Sequence, residues 1–321
     1  MNLPKITDLD VAGRRVLLRL DLDTKPDEND LRIKAAKKTL DYLYSQKAKI
    51  IIIGHKGRPA SADASARQAL SLKPFQSIFD KWGAKVEENL RFDPGEEGND
   101  PEFAKKLASL GDIFVNEAFA SSHREHASIV GLPKLLPHAV GFRFQKEVEN
   151  LSNVFESPKR PLVFVISGLK EDKLQYVKAF ESLADKILVG GRLPDFLGDA
   201  ALESVRTQTG KVIVGNLIMD KEDITLNTIE IFSKEVGSGG TIVVSGPLGK
   251  YEEEGHRAGT EKVFGAVVSS GAFKIAGGGD TEKAISTLGL SDKFDWISVG
   301  GGAMLEFLSK KTLPGITALE A

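Results

Sequence analysis

The sequence predicts an α/β protein built from two domains, and three observations carry that prediction. Short apolar, β-branched runs recur along the whole chain, helix-like stretches alternate with them, and 321 residues exceed one typical domain of about 150. The runs are "RVLLRLDL", "KIIIIGH", "DIFVNEAF", "PLVFVISG", "DKILVGG", "KVIVGN", "TIVVSGP", "FKIAGGG" and "WISVGGG". Their length and near-continuous apolar character suit strands covered on both faces, as in parallel sheets.

Helices are expected at Arg32 to Lys47, Asp280 to Leu288 and Gly302 to Lys310, which makes the connections βαβ crossovers. Residues 141–157, "GFRFQKEVENLSNVFES", read as an amphipathic helix that the following "PKRP" stops. The domain boundary is placed there, giving a first domain over 1–147 and a second over 148–308, with 309–321 as a closing segment. The repeated "GGGD" and "GGGA" are a recurring strand-to-helix turn rather than a repeat period.

Composition narrows the function. Lys plus Arg number 43 against 45 Asp plus Glu, for a net charge of −2, so no overall charge draws nucleic acid or anionic membrane and any anion site is local. No apolar run approaches the roughly 20 residues that span a bilayer. The absence of cysteine removes disulfides, thiolate zinc sites and a cysteine nucleophile. "MNLPKITDLD" lacks the apolar core of a signal peptide, so the expected setting is cytoplasmic.

Ligands of open α/β sheets lie outside the carboxyl ends of strands. In the first half, those positions are cationic. "KIIIIGHKGRP" supplies His55, Lys56 and Arg58, "ENLRFDPGEE" supplies Arg91, "VNEAFASSHREHAS" supplies His123, Arg124 and His126, and Arg32 opens a predicted helix. Guanidinium groups grip carboxylate and phosphate bidentately, so this pattern favours a small polyanion, with Asp21 and Asp23 placed to accept from its hydroxyl. Each cation alone is equally a surface charge. His123 and His126 stand three apart, but with arginine between them and no thiolate they make a poor zinc pair.

In the second half, "FKIAGGGDTEKA" and "WISVGGGAMLEF" each run strand, three glycines, helix. Glycine lets backbone N–H groups approach phosphate, and a helix N-terminus adds favourable partial charge. Asp280 offers oxygen to Mg²⁺ or, in the competing reading, caps a helix. "ISGLKEDK" places Lys170 and Lys173 after another strand, and "SGPLGKYEEE" offers Glu252 to a ribose. Neither G-x-x-x-x-G-K-[ST] nor G-x-G-x-x-G occurs.

Taken in order, "HKGRP", "ENLRFDPGEEGNDPEFAKKLASLGDIFVNEAF", "SHREHAS", "GPLG" followed by "YE", "GGGDT" and "GGGAMLEFLSKKTLPG" resemble the phosphoglycerate kinase family, nearly end to end. The resemblance implies two Rossmann-like lobes with parallel sheets joined by a hinge helix, the N-terminal lobe binding phosphoglycerate and the C-terminal lobe binding MgADP or MgATP. Hinge closure would bring them together, and 309–321 would return to the first lobe. It implies a monomer that exchanges a phosphoryl group between 1,3-bisphosphoglycerate and ADP in glycolysis. By matching position, Asp21, Asp23, Arg32, His55, Arg58, Arg91 and Arg124 would hold the triose. Lys173, Gly190, Gly191, Glu252, Gly278, Gly279, Asp280 and Thr281 would hold the nucleotide, with Asp280 on the metal. Arg32, Lys170, Gly300, Gly301 and Gly302 would act on the transferring group.

The chain departs from the family pattern in several places. It is shortened between "SLKPFQSIFDKWGAKV" and "ENLRF", and more so between "GGRLPDFLGD" and "LNTIEIF". Asp23 stands where the family has an amide, and its extra negative charge is expected to weaken anion binding. "LKEDK" contracts a lysine motif so that Lys170 and Lys173 are three apart rather than four. Ser245, Val299 and Met304 replace family residues, and Arg192 falls beside the expected adenine pocket, to narrow it or stack on the base. Two other readings follow from these changes: a weak or inactive member that binds phosphoglycerate or nucleotide, and a kinase of another acyl phosphate.

Overall fold

All nine apolar runs form strands, and two shorter segments join them. The structure is a computed structural model that describes Met1 and residues 3–58, 68–197 and 210–320. The chain divides into two compact units, Met1–Glu149 with Thr312–Ala321, and Asn150–Lys311.

The first unit holds β1 (Arg15–Arg19), β2 (Lys49–Ile53), β3 (Lys85–Val86), β4 (Ile113–Asn116) and β5 (His138–Val140). Among the described residues they form a five-stranded sheet in the order β3-β2-β1-β4-β5, every pairing parallel. In the central strand, Val16, Leu17 and Leu18 are fully buried, which requires cover on both faces. β3 and β5 have two and three residues, too short to register as apolar periods in the sequence.

Helix Leu31–Ser45 begins where Asp30 accepts from the Arg32 N–H at 2.8 Å, and it turns Ile33, Ala36, Leu40 and Leu43 into the core. It ends two residues earlier than expected because Lys47 takes the left-handed conformation, φ 58°. Helix Phe142–Glu156 is capped from outside itself. Glu117 accepts from the Arg143 and Phe144 N–H groups at 3.1 and 2.9 Å, and Thr39 Oγ1 accepts from the Phe142 N–H at 2.9 Å. The closing helix Pro314–Leu319 packs on the first unit, where the Gly315 N–H donates to the Ser122 carbonyl at 2.9 Å.

The second unit holds β6 (Leu162–Ile166), β7 (Lys186–Val189), β8 (Val212–Val214), β9 (Thr241–Ser245), β10 (Phe273–Gly277) and β11 (Trp296–Ser298), in the order β11-β10-β9-β6-β7-β8. All pairings between these strands are parallel. Strand order reverses between β1 and β4 in one unit and between β6 and β9 in the other. Each reversal opens a crevice at the strand ends, where ligands of such sheets bind. The larger expected shortening borders residues 198–209, which lie outside the described residues.

Candidate functional site

In the first unit the chain leaving β1 passes through Asp21 and Asp23. Asp21 is buried and accepts from the Ala120 N–H at 2.9 Å and from Ser121 Oγ at 2.5 Å, which ties the loop after β4 to the loop after β1. Asp23 accepts from the Gly57 N–H at 2.8 Å, so part of its charge is spent on the loop after β2. Its carbonyl accepts from Arg32 Nη1 at 2.5 Å, which draws the Arg32 guanidinium to the same end of the sheet.

Around them the cations converge. The Arg91 side chain is 3 % exposed, its Nη1 donates to the Gly57 carbonyl at 2.7 Å, and its Nε lies 3.1 Å from Glu97. Its Nη2 is buried with no hydrogen bond among the described residues. Arg58 lies 3.7 Å from the same Glu97 oxygen, and the Arg124 guanidinium has no hydrogen bond or ion pair among the described residues. Burial lowers the Arg91 pKa, the charges of Arg124 and Arg58 lower it further, and Glu97 and Asp23 oppose them. His55 is pushed far below the ordinary histidine range by burial first, then by Arg19, Arg91, Arg124 and His126. The structure therefore brings Arg58, Arg91, Arg124 and the uncharged His55 ring together, with Glu97 offsetting part of the arginine charge and Arg32 anchored at Asp23. Lys56 instead reaches toward the Ala69 carbonyl, 3.3 Å away.

The second unit works with backbone. At the crevice between β6 and β9, Gly246 takes φ 107°, and a Cβ there would stand 1.9 Å from the Ser167 carbonyl oxygen. Lys173 Nζ donates to the carbonyls of Ser167 and Ser245 at 2.7 and 3.3 Å, which seats the ammonium over both strand ends. Burial lowers its pKa to about 8, with Asp280 and Asp172 opposing and Lys170 adding to the fall. Lys170 is exposed and precedes the 3₁₀ turn Glu171–Lys173. Three residues per turn suit the contracted spacing, since i and i+3 eclipse in such a helix.

Thr281 is buried, and its hydroxyl accepts from the Gly246 N–H at 2.8 Å and donates to the Gly277 carbonyl at 2.9 Å, locking two strand-end turns together. Asp280 is exposed at the start of helix Gly279–Thr287, where Gly278 occupies the cap position and no side chain caps. The capping role that competed for Asp280 is thus not taken up. Tyr251 is raised to about 12 by burial and then by Glu252, with smaller contributions from Asp280 and Glu282, so Glu252 and Asp280 act on one phenol.

The predicted glycines separate into two kinds. A Cβ on Gly190 would meet Leu248 at 2.3 Å, one on Gly191 the Gly168 nitrogen at 2.6 Å, and one on Gly301 the Gly278 Cα at 2.4 Å, so close packing accounts for them. At Gly279 and Gly302 an added Cβ meets nothing within 4 Å, which leaves those backbones open to a ligand. Gly300 anchors its turn by donating its N–H to Ser298 Oγ at 3.2 Å. The Arg192 guanidinium lies 3.3 Å from Asp195 and 3.5 Å from Glu222. Asp195 in turn lines a cleft of about 240 Å³ with Pro194, Gly215, Asn216, Ile218 and Lys221.

The family model described as phosphoglycerate kinase matches this chain over residues 6–87, 82–209 and 199–311. The chain belongs to the phosphoglycerate kinase family. It is 34% identical to the phosphoglycerate kinase of Dictyoglomus turgidum over 387 aligned positions, covering 98% of each protein. The relative from Solibacter usitatus is also 34% identical, over 390 positions and 100% of both chains. The solved phosphoglycerate kinase of Coxiella burnetii is similar in structure with a TM-score of 0.84 at 29% identity, over 99% of each chain. That of Pyrococcus horikoshii gives 0.81 at 26%, over 99% of this chain and 98% of the other. This places the chain among phosphotransferases. The alignments are longer than the 321 residues available, so the chain lacks residues its relatives have. The family match breaks at 82–87 and again at 199–209, beside the two shortenings noted in the sequence.

Two supporting residues were not among the predicted ones. Arg19 is fully buried at the end of β1, with its Nη2 2.8 Å from His55 Nδ1, and Glu96 is fully buried while accepting from the Ser128 N–H and Oγ at 3.0 and 2.6 Å. The available signal was the charge inside "RVLLRLDL", a run otherwise buried on both faces.

Proposed function

We propose that the chain catalyses the reversible, Mg²⁺-dependent exchange of a phosphoryl group between 1,3-bisphosphoglycerate and ADP, giving 3-phosphoglycerate and ATP. The observation that carries this reading, beyond family membership, is the buried Arg91 with its unbonded Nη2, set among Arg58, Arg124 and His55. Glu97 is shared between Arg91 and Arg58, and the Arg124 guanidinium has no ion pair among the described residues, so the cluster keeps positive charge that a bound anion would balance.

The first unit is the phosphoglycerate-binding one. Arg58, Arg91 and Arg124 take the phosphate and carboxylate, His55 donates to an oxygen, and Asp21 and Asp23 accept from the glycerate hydroxyl. In the second unit Lys173 and the open turns at Gly279 and Gly302 take nucleotide phosphates, with Thr281, Gly190, Gly191 and Gly278 shaping the turns and Glu252 at the ribose. A resident Mg²⁺ would be held by Asp280, whose exposed carboxylate makes no cap bond and is a hard oxygen donor. When bound, the ion neutralises phosphate charge.

In the direction of ATP formation, ADP's terminal phosphate oxygen attacks the acyl phosphate. A new P–O bond forms as the P–O bond to the carboxyl group breaks, and the carboxylate leaves with that electron pair. Positioning and charge stabilisation are the protein's main contribution. Arg32 stabilises charge on the carboxylate side, Lys170 stabilises it on the nucleotide side, and the Gly300–Gly302 turn, its Gly300 N–H held by Ser298, offers the Gly301 and Gly302 N–H groups to phosphoryl oxygens. The protein acts as a monomer on small molecules in the cytoplasm; among the described residues no helix is long and apolar enough to cross a membrane.

The test is a coupled assay of 3-phosphoglycerate with MgATP beside the Asp280→Ala variant. Turnover that the variant abolishes is expected. Absence of turnover while both ligands still raise the melting temperature would instead make the chain a binding protein.

A further inference from the structure

We propose that Arg19 is a positioning residue that fixes His55 as a neutral ring with its proton on Nε2, aimed as a hydrogen-bond donor at the anion. The inference rests on the phosphoglycerate reading of the first unit. A guanidinium has donors and no acceptor. With Arg19 Nη2 2.8 Å from His55 Nδ1, that nitrogen must accept, so the ring's single proton sits on Nε2. A doubly protonated ring would face Arg19 donor to donor. The groups acting on His55 give it no reason to charge: Arg19 from β1, Arg91 from the 3₁₀ turn Leu90–Phe92, and Arg124 and His126 from the segment after β4. No hydrogen bond engages Nε2 among the described residues, which leaves its proton for a ligand oxygen.

Arg19 is itself held on three sides. Its Nη1 donates to the Leu20 carbonyl at 2.5 Å and its Nε to Ser128 Oγ at 3.0 Å. That hydroxyl donates onward to Glu96 at 2.6 Å, so a buried carboxylate balances the buried guanidinium through one serine. Stability alone accounts poorly for this arrangement, since apolar residues replace buried ion pairs at little or no loss. An arginine at the last position of the central strand does supply what an apolar residue cannot: a fixed donor that selects one tautomer of the histidine beside it.

The test is ¹⁵N NMR of the His55 ring in the wild type, Arg19→Lys and Arg19→Met, with steady-state kinetics on the same proteins. The wild type is expected to show the Nε2–H tautomer with no protonation between pH 5 and 8. Lys has donors and no acceptor and keeps that tautomer. Met loses it, and its KM for 3-phosphoglycerate rises about tenfold while the KM for ATP holds. If Met does not fold, the wild-type tautomer and the Lys variant decide. A proton on Nδ1 in the wild type, or a folded Met variant with unchanged tautomer and KM, would overturn the proposal. A wild type with the expected tautomer whose Nε2 signal ignores 3-phosphoglycerate would sink the reading of the site, and with it the donor role, while leaving Arg19's hold on the ring in place.

Discussion

The two units use the same sheet architecture and opposite materials at their crevices. In the first, the site is side-chain charge brought indoors: Arg19, His55, Arg91 and Glu96 are all buried, and each holds or repels another. In the second, it is backbone brought close. Gly246, Gly191 and Gly301 stand where no side chain fits, and buried Thr281 ties two turns together. A small, rigid polyanion is best met by preorganised charge, whereas a long, flexible phosphate chain is best met by N–H groups that can approach it. The two sites should therefore fail differently, one by losing charge and the other by gaining atoms.

The largest expected effect is on the second unit. Gly246→Ala sets a methyl 1.9 Å from the Ser167 carbonyl oxygen at φ 107°, and should cost roughly 3 kcal/mol or more in unfolding free energy. Gly302→Ala, with nothing within 4 Å, should leave stability almost unchanged and weaken nucleotide binding. Equal melting temperatures for the two variants would erase the distinction between packing and ligand glycines. Next, Arg32→Ala and Lys170→Ala should each lower kcat by about 10²-fold in the coupled assay, as removal of a preorganised donor does. Because Lys170 is exposed, its variant should keep its melting temperature, and near-normal turnover would take the residue out of the mechanism. Smaller again is Glu96→Gln, which leaves Arg19 buried with Asp21 as its remaining carboxylate and should cost about 2 kcal/mol. Denaturant unfolding would show it, and an unchanged midpoint would mean that the first site does not depend on internal charge balance.

The same contrast explains what the sequence revealed. Strands covered on both faces announce themselves as apolar runs, so β1, β2, β4 and β6 to β11 were legible; β3 and β5 are too short to show a period. Cations after strand ends were legible by type, and the structure gathers His55, Arg58, Arg91 and Arg124 around one another. What supports them was not legible. Arg19 reads as a flaw in a strand, and Glu96 as one of two acids in "GEE", because only tertiary packing puts Ser128 between them. Nor does sequence tell Gly301, excluded by the Cα of Gly278, from Gly302, which faces open space.

The smallest effect joins the two materials at one residue. Lys173 is a part-buried charge held by backbone carbonyls, and its pKa of about 8 lies below the ordinary lysine value of 10.5 because partial burial disfavours the ammonium more than Asp280 and Asp172 restore it. Between these two values the unfolded chain keeps a proton that the folded protein has released, so this group makes stability rise with pH across that window; below about 8 both states are protonated and the cost of burying the charge is fully present. A nucleotide phosphate arriving beside Nζ favours the ammonium, so binding MgADP at about pH 8.5, just above the folded value, should take up a fraction of a proton. Calorimetry in two buffers of different ionisation enthalpy measures that uptake, and Lys173→Met should abolish it and remove this group's share of the pH slope of stability. Uptake that persists in the variant would place the phosphates away from Lys173 and leave the second site to its glycine turns alone.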